Sequence, residues 1–309
     1  LNKRTDILLF WAAKGIDAFR CDMAEMVPVE FWQWAIGKVK EAHPDILFIA
    51  EVYNPAQYRD YVHRGGFDYL YDKVGLYDAL RAVTRHEASA QCLTRCWQQV
   101  DDIRTHMLHF LENHDEQRLA SDFFAGDARR GRAPLLVSAL MDYCPMMIYF
   151  GQELGERGMD AEGYSGRDGR TTIYDYWTVD TVSRWRNGGK FNDKKLTGDE
   201  KRLREFYARV LALRESMPVL RSGHFYDLMY VNRHLHRQYV FVRQLEKQVL
   251  LVIANFDDQE ANLSIHLPEE FFRFIGQKGQ TEVRALDLLS EEETQVDFTP
   301  DRPLCATVL

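Results

Sequence analysis

The sequence predicts a parallel α/β domain followed by an all-β module, and three observations carry that reading. Short, nearly continuous apolar runs, of the kind buried on both faces of a parallel sheet, end near residues 22, 51, 71, 112 and 150. Those ends lie about 32 residues apart on average, the length of a repeated βα unit, and helical patterns fill the gaps. After residue 223 the texture changes to short alternating or apolar runs divided by turn residues. The last long helical pattern stops near residue 217, so the expected domains are 1–217 and 218–309.

The elements follow in order. Residues 5–14 read as an amphipathic helix, with Thr5 or Asp6 as N-cap and Gly15 just past its end. A strand at 16–21 stops at Asp22, and a helix at 28–40 opens with Pro28, whose fixed φ suits a first turn. The unit repeats as a strand at 46–50 that ends at Glu51, followed by a loop carrying Tyr53. A weaker strand at 66–71 leads into helical patterns at 74–83 and 91–103. A strand at 107–111 runs into Glu112-Asn113-His114-Asp115, then come a helix at 129–140 and a buried strand at 146–150. Residues 154–198 read as a long irregular stretch, and loops of that length are usually functional. A helix at 199–215 precedes β runs at 225–231, 239–244, 249–256, 261–267, 281–289 and 304–309.

Composition narrows the function classes. A 46% hydrophobic, 28% charged chain is globular, not disordered or fibrous. Its net charge of −8 opposes an extended phosphate-binding face, so nucleic acid is not an expected partner. No apolar run approaches the ~20 residues that span a bilayer. The five scattered cysteines suit structural thiols, and Cys92/Cys96 lack the companion ligands of a zinc site. His86, His106 and His109 have no metal-ligand spacing, and Arg129-Arg130-Gly131-Arg132 reads as a solvated basic face.

Parallel α/β folds build active sites at the carboxyl ends of their strands. Asp22, Glu51 and Asp115 stand at such ends, one and two βα units apart, and are expected to face a common cleft. Arg20 shares a strand face with Asp22 and would keep it ionised. Glu51 follows Phe48-Ile49-Ala50, apolar surroundings that favour a protonated carboxyl able to act as an acid. Two carboxyl groups with divided roles are what cleavage of a glycosidic bond requires.

These residues resemble the α-amylase family of glycoside hydrolases. Residues 15–22 (GIDAFRCD) are similar to its fourth-strand motif, 48–51 (FIAE) to its fifth and 112–115 (ENHD) to its seventh. Residues 144–153 are similar to its eighth, with Cys144 where glycine is usual. The resemblance covers about residues 4–217 and implies a partial (β/α)8 barrel of strands four to eight, followed by a β-sandwich. It implies a retaining hydrolase of α-glucans or oligosaccharides: Asp22 as nucleophile, Glu51 as general acid and base, and Asp115 as stabiliser of the oxocarbenium-like transition state. Arg20 and His114 would contact the sugar. Tyr53, Tyr164, Trp177 and Trp185 are aromatic candidates for stacking on sugar rings. A transglycosylase, or a non-catalytic glycan-binding or interaction scaffold, is the alternative.

The family's third-strand motif has no counterpart in these residues. Calcium occurs in the family, but Glu25-Met26 replaces the Lys-His pair often found after the nucleophile and argues against it here. A chain holding five of eight units is expected to belong to a longer protein and to be weakly active or inactive alone. Its open barrel edges invite a dimer.

Overall fold

The computed structural model describes residues 2–161, 166–174 and 178–308, and the chain divides into two compact units. The first comprises Leu1–Asp78, Cys96–Phe110 and Cys144–Met147. Its helix α1 (Asn2–Ala12) starts earlier than expected, so that Thr5 is buried within it and does not cap it. Gly15, at φ 83, takes the left-handed turn that frees the chain to enter β1 (Ala18–Cys21). Helix α2 (Val29–Ala42) buries Trp32, Ala35, Ile36 and Val39, a stripe at helical spacing, and β2 (Leu47–Ala50) follows. The Trp32 indole N–H donates to the Ala24 carbonyl and packs edge-on against Phe67.

Strands β3 (Tyr69–Tyr71), β4 (Met107–Phe110) and β5 (Met146–Met147) complete a parallel five-stranded sheet in the order β1-β2-β3-β4-β5. The expected helix at 74–83 is divided. A π-helical turn, Lys73–Tyr77, is capped by the Asp72 carboxylate accepting from the Leu76 N–H, and α3 (Asp78–Thr84) takes over. The expected helix at 91–103 is likewise split into α4 (Cys92–Gln99) and a 3-10 segment, Asp101–His106, at Val100, whose φ of −121 and ψ of 16 lie outside the helical region. Strand β5 is shorter than the apolar run at 146–150, because the Tyr149 N–H turns to the Gln152 side chain and leaves the ladder.

The second unit comprises Ala79–Arg95, Leu111–Tyr143 and Ile148–Leu309. Helix α5 (Arg132–Leu140) is buried on nearly every face, which is why its sequence shows no polar stripe. The stretch at 154–198 contains a helix after all, α6 (Asp180–Arg186), followed by two 3-10 segments, Asn187–Gly189 and Asp193–Lys195. Helix α7 (Gly198–Ser216) opens with a capping box in which Thr197 and Glu200 satisfy each other's backbone N–H. The short α8 (Pro218–Ser222) leads to an antiparallel sheet of β6 (His224–Asp227), β7 (Gln238–Leu245) and β8 (Gln248–Asn255), with β7 central and buried. The buried Arg243 of β7 donates to the carbonyls of Leu140, Met141, Leu220 and Gly223, tying α5 and α8 to the sheet.

Two further pairs complete the β region: β9 (Ala261–Ile265) with β12 (Leu304–Val308), and β10 (Gln280–Leu286) with β11 (Glu293–Phe298). Between β9 and β10 the module holds helix α9 (Glu269–Ile275), which the reading of this region as all-β missed. Among the described residues, no helix is long and apolar enough to cross a membrane. The described cysteines are all free thiols.

Candidate active site

Strand register sets the level of the site in the first unit. Cys21 pairs with Ala50 and Ala50 with Leu70, so the next residues, Asp22, Glu51 and Tyr71, emerge together at the carboxyl edge of the sheet. The pairing continues past the strands, with the Glu51 N–H donating to the Cys21 carbonyl at 3.1 Å and the Ala24 N–H to the Glu51 carbonyl at 3.0 Å.

Arg20 gathers these groups. Its Nη1 donates to Asp22 Oδ1 at 2.5 Å, its Nη2 forms an ion pair with Glu51 Oε2 at 3.1 Å, and its Nε donates to the Tyr71 hydroxyl at 3.4 Å. The guanidinium also lies 5.5 Å from the Tyr71 ring centroid. Burial alone would lower its pKa, but the bonds to Tyr71 and Asp22 and the charge of Glu51 raise it overall, so it stays a fixed cation. The neighbouring Cys21 thiol is pushed up to about 12 by burial, with Arg20 opposing, and is inert as a nucleophile.

The two carboxylates differ sharply in exposure: the Asp22 side chain is 74% exposed, that of Glu51 5%. Glu51 does not meet the apolar surroundings its strand suggested. Besides Arg20, its Oε2 accepts from the Met23 N–H at 2.8 Å and its Oε1 from the Tyr53 hydroxyl at 2.8 Å. The side chains of Phe48 and Ala50 are indeed buried, but β2 ends before Glu51 and the polar loops close over it. Met23 reaches this position at φ 43, a left-handed conformation unusual for a side chain of its size.

Two residues here escaped the sequence reading of the site. Tyr71 holds Arg20, and its place at a strand end was the available signal. Glu25 turns inward, its Oε2 accepting from the N–H groups of Tyr53 at 3.0 Å and Asn54 at 2.9 Å, and so fixes the loop that presents the Tyr53 hydroxyl. Lys73 lies 5.9 Å from the Tyr53 ring centroid and pairs with Asp78. Asp72, at the end of β3, is buried as a helix cap 3.9 Å from His109; burial pushes its carboxyl up, with His109 and the Leu76 N–H opposing.

His114 and Asp115 belong to the second unit, where His114 Nε2 pairs with Asp115 Oδ2 at 3.1 Å. Asn113 is fully buried beneath them, its Oδ1 accepting from the N–H groups of Asp115 and Glu116, each at 2.8 Å. Of the aromatic candidates, Tyr164 and Trp177 lie outside the described residues. Trp185 is half-buried and packs edge-on against Phe191 with ring centroids 5.4 Å apart, which spends part of its surface on its own unit. Among the described residues, no three His, Cys, Asp or Glu side chains are grouped so as to hold a metal ion. Glu25, close to Asp22 in sequence, has its carboxylate engaged by backbone N–H groups.

A parallel half-barrel of five strands, with two carboxylates at its carboxyl edge and antiparallel sheets after it in the chain, defines a barrel-type α/β fold followed by a β-domain. The family description "Alpha amylase, catalytic domain" matches residues 2–223, and the chain belongs to the alpha-amylase family. Curated relatives include an alpha-1,4-glucan:maltose-1-phosphate maltosyltransferase of Picrophilus torridus, 22% identical over 83% of this chain and 36% of that protein. Neopullulanase 2 of Thermoactinomyces vulgaris is 24% identical over 85% of this chain and 41% of its own length. The maltogenic alpha-amylase AmyB of Thermotoga neapolitana shares the fold at TM-score 0.72 and 16% identity, covering 99% of this chain and 63% of AmyB. This chain thus spans well under half of those two curated relatives.

Proposed function

We propose that this chain carries the reacting residues of a retaining α-glucan or α-glucoside hydrolase. The observation that supports this most directly is the single guanidinium of Arg20 contacting both Asp22 and Glu51. One side chain spanning both groups suits the ~5–5.5 Å carboxyl separation of a retaining pair better than the wider spacing of an inverting one.

In this reading an Asp22 oxygen attacks the anomeric carbon while protonated Glu51 gives its proton to the leaving glycosidic oxygen, and a glycosyl ester forms on Asp22. Glu51, now a carboxylate, takes a proton from water; the water oxygen bonds to the anomeric carbon and Asp22 leaves with its electron pair. Arg20 holds the Asp22 carboxylate through its Nη1. Asp115 stabilises the oxocarbenium-like transition state, and His114 and Arg20 contact the sugar. Tyr53 lies at the acid and base through its hydroxyl. The domain division at 217/218 separates the catalytic part from the β-domain. A transglycosylase is the second reading, favoured by relatives whose names specify maltosyl transfer, and it differs only in a sugar hydroxyl replacing water.

Trapping reads even a slow enzyme, because it needs a single turnover. Incubation with a fluorinated α-glycosyl fluoride, followed by peptide mass spectrometry, is expected to place one glycosyl adduct on the peptide holding Asp22 and none in Asp22→Asn. Steady turnover of maltoheptaose should fall by about 10³-fold or more in that variant. Adduct at another carboxylate, or turnover unchanged by Asp22→Asn, rejects the assignment. Products longer than the substrate would favour transfer over hydrolysis.

A further inference from the structure

The segment that carries His114 and Asp115 is closed at its base by a buried ion pair. Glu112 is 1% exposed and Arg118 0%. Arg118 Nη1 donates to Glu112 Oε2 at 2.7 Å, and the Leu119 N–H donates to Glu112 Oε1, also at 2.7 Å. One carboxylate thereby joins the two ends of residues 112–119.

Arg118 is itself fixed from several directions. Its Nη1 also donates to the Phe150 carbonyl at 2.9 Å, its Nε to Thr171 Oγ1 at 3.0 Å, and its N–H to the Gly169 carbonyl at 2.6 Å. The guanidinium lies 4.4 Å from the Tyr149 ring centroid and 4.8 Å from that of Phe150. Inside the closed segment, Asn113 folds the backbone of Asp115 and Glu116 inward, which leaves the His114 and Asp115 side chains 22% and 51% exposed.

A buried ion pair contributes little net stability compared with apolar residues of the same volume, because both charges must be desolvated. It does supply direction: a planar fork hydrogen-bonded to Thr171 and the Phe150 carbonyl and set against the Tyr149 and Phe150 rings allows one position for the carboxylate it grips. We propose that Glu112 and Arg118 are positioning residues that clip the 112–119 segment shut and thereby fix the presentation of Asp115. This rests on the reading of Asp115 as the transition-state stabiliser. Glu112 and Arg118 touch no substrate in it; they act through Asp115 alone.

The experiment compares the full chain with Glu112→Gln, which keeps size and an acceptor for the Leu119 N–H but loses the charge. Turnover of an aryl α-maltoside is expected to fall at least about tenfold in kcat with KM within about twofold. Acting through Asp115, the change should cost less than about twofold when introduced into Asp115→Asn. A Glu112→Gln enzyme as active as the parent, or the same tenfold loss on top of Asp115→Asn, overturns the proposal.

The second arm does not depend on turnover. Hydrogen exchange at the amides of residues 113–119 should quicken in Glu112→Gln while the amides of α7 keep their protection. Unchanged exchange there overturns the clip, whether or not the parent chain is active. Should Glu112→Gln not fold, the Glu112→Met/Arg118→Met pair, which removes both charges together, is measured in the same two ways. A parent chain that forms no Asp22 adduct rejects the catalytic reading by itself and leaves the exchange result to judge the clip.

Discussion

Tyr53 could serve a sugar in two ways, by its ring face or by its hydroxyl, and the two make different demands on a substitution. Its sequence position suggested stacking. Its hydroxyl instead donates to Glu51 at 2.8 Å, while Glu25 holds its backbone N–H and Lys73 lies near its ring. A hydrogen bond to a charged group contributes about 1.5–3 kcal/mol, so Tyr53→Phe should lower kcat by between about 10-fold and about 150-fold through a less well held acid and base. KM should stay within about twofold, since Phe retains the ring. Steady-state kinetics on maltooligosaccharides would show this, and a rise in KM with kcat unchanged would return Tyr53 to a stacking role. Asp22 and Glu51 were legible as candidates because each directly follows a short apolar run that forms a strand, and Asp115 because it lies in the loop after another. Tyr71 and Glu25 were not, since their partners, Arg20 and the N–H groups of Tyr53 and Asn54, become neighbours only once the strands are in register.

Elements with strong local signals were found, and those formed by tertiary contacts were missed. The first four strands of the parallel sheet are short apolar runs that lead directly or within two residues into an acid, and α7 announces itself by Thr197 and Glu200 three residues apart. Helix α9 had the signals too, with Pro268 before it, Glu269 and Glu270 in its first turn and Gly276 at φ 64 after it, but it was obscured by the run of strands around it. Strand β11 had none: Glu293–Phe298 is polar and largely exposed, and it is a strand because β10 pairs with it. The α7 cap gives a test at this scale. Burial would raise the pKa of Glu200, but bonds from Arg184 and the Thr197 N–H outweigh it and hold the carboxyl below its ordinary value. A carboxylate with a depressed folded pKa adds stability that is present above the unfolded value of ~4.3 and lost as pH falls through the folded value. Glu200→Gln keeps the cap's hydrogen-bonding pattern and loses the charge. The variant should melt roughly 2–4 °C below the parent near neutral pH, and that gap should close below about pH 4 in differential scanning calorimetry. A gap of the same size at both pH values would mean that Glu200 acts by shape and not by charge.

At the scale of the molecule, the fold class was legible because a βα repeat is written twice, once in the apolar runs and once in the acids that end them. The extent of association is not written in that pattern and has to be argued from edges. Among the described residues, the sheet β1-β2-β3-β4-β5 has no strand beyond β1 or β5. Strand β5 is only two residues long, too short an edge to template another chain, whereas β1 offers four. The Leu47 N–H goes to the Asp17 carbonyl and the Glu51 N–H to the Cys21 carbonyl, so Asp17, Phe19 and Cys21 face β2 while Ala18 and Arg20 turn their backbone groups outward. Helix α1 adds exposed apolar side chains, with Ile7, Phe10 and Trp11 each about half exposed. The net charge of −8 opposes self-association, so the dimer we propose through β1 should be weak and should strengthen with salt. Sedimentation velocity over a hundredfold range of concentration is expected to show a rise from one chain of 36.2 kDa toward two. Ala18→Pro removes an outward N–H without touching the bonds to β2, and it should hold the chain monomeric at the highest concentration with its far-UV spectrum unchanged. If parent and variant associate alike, β1 is not the interface; if the parent stays a single chain in high salt, the open edge does not pair at all.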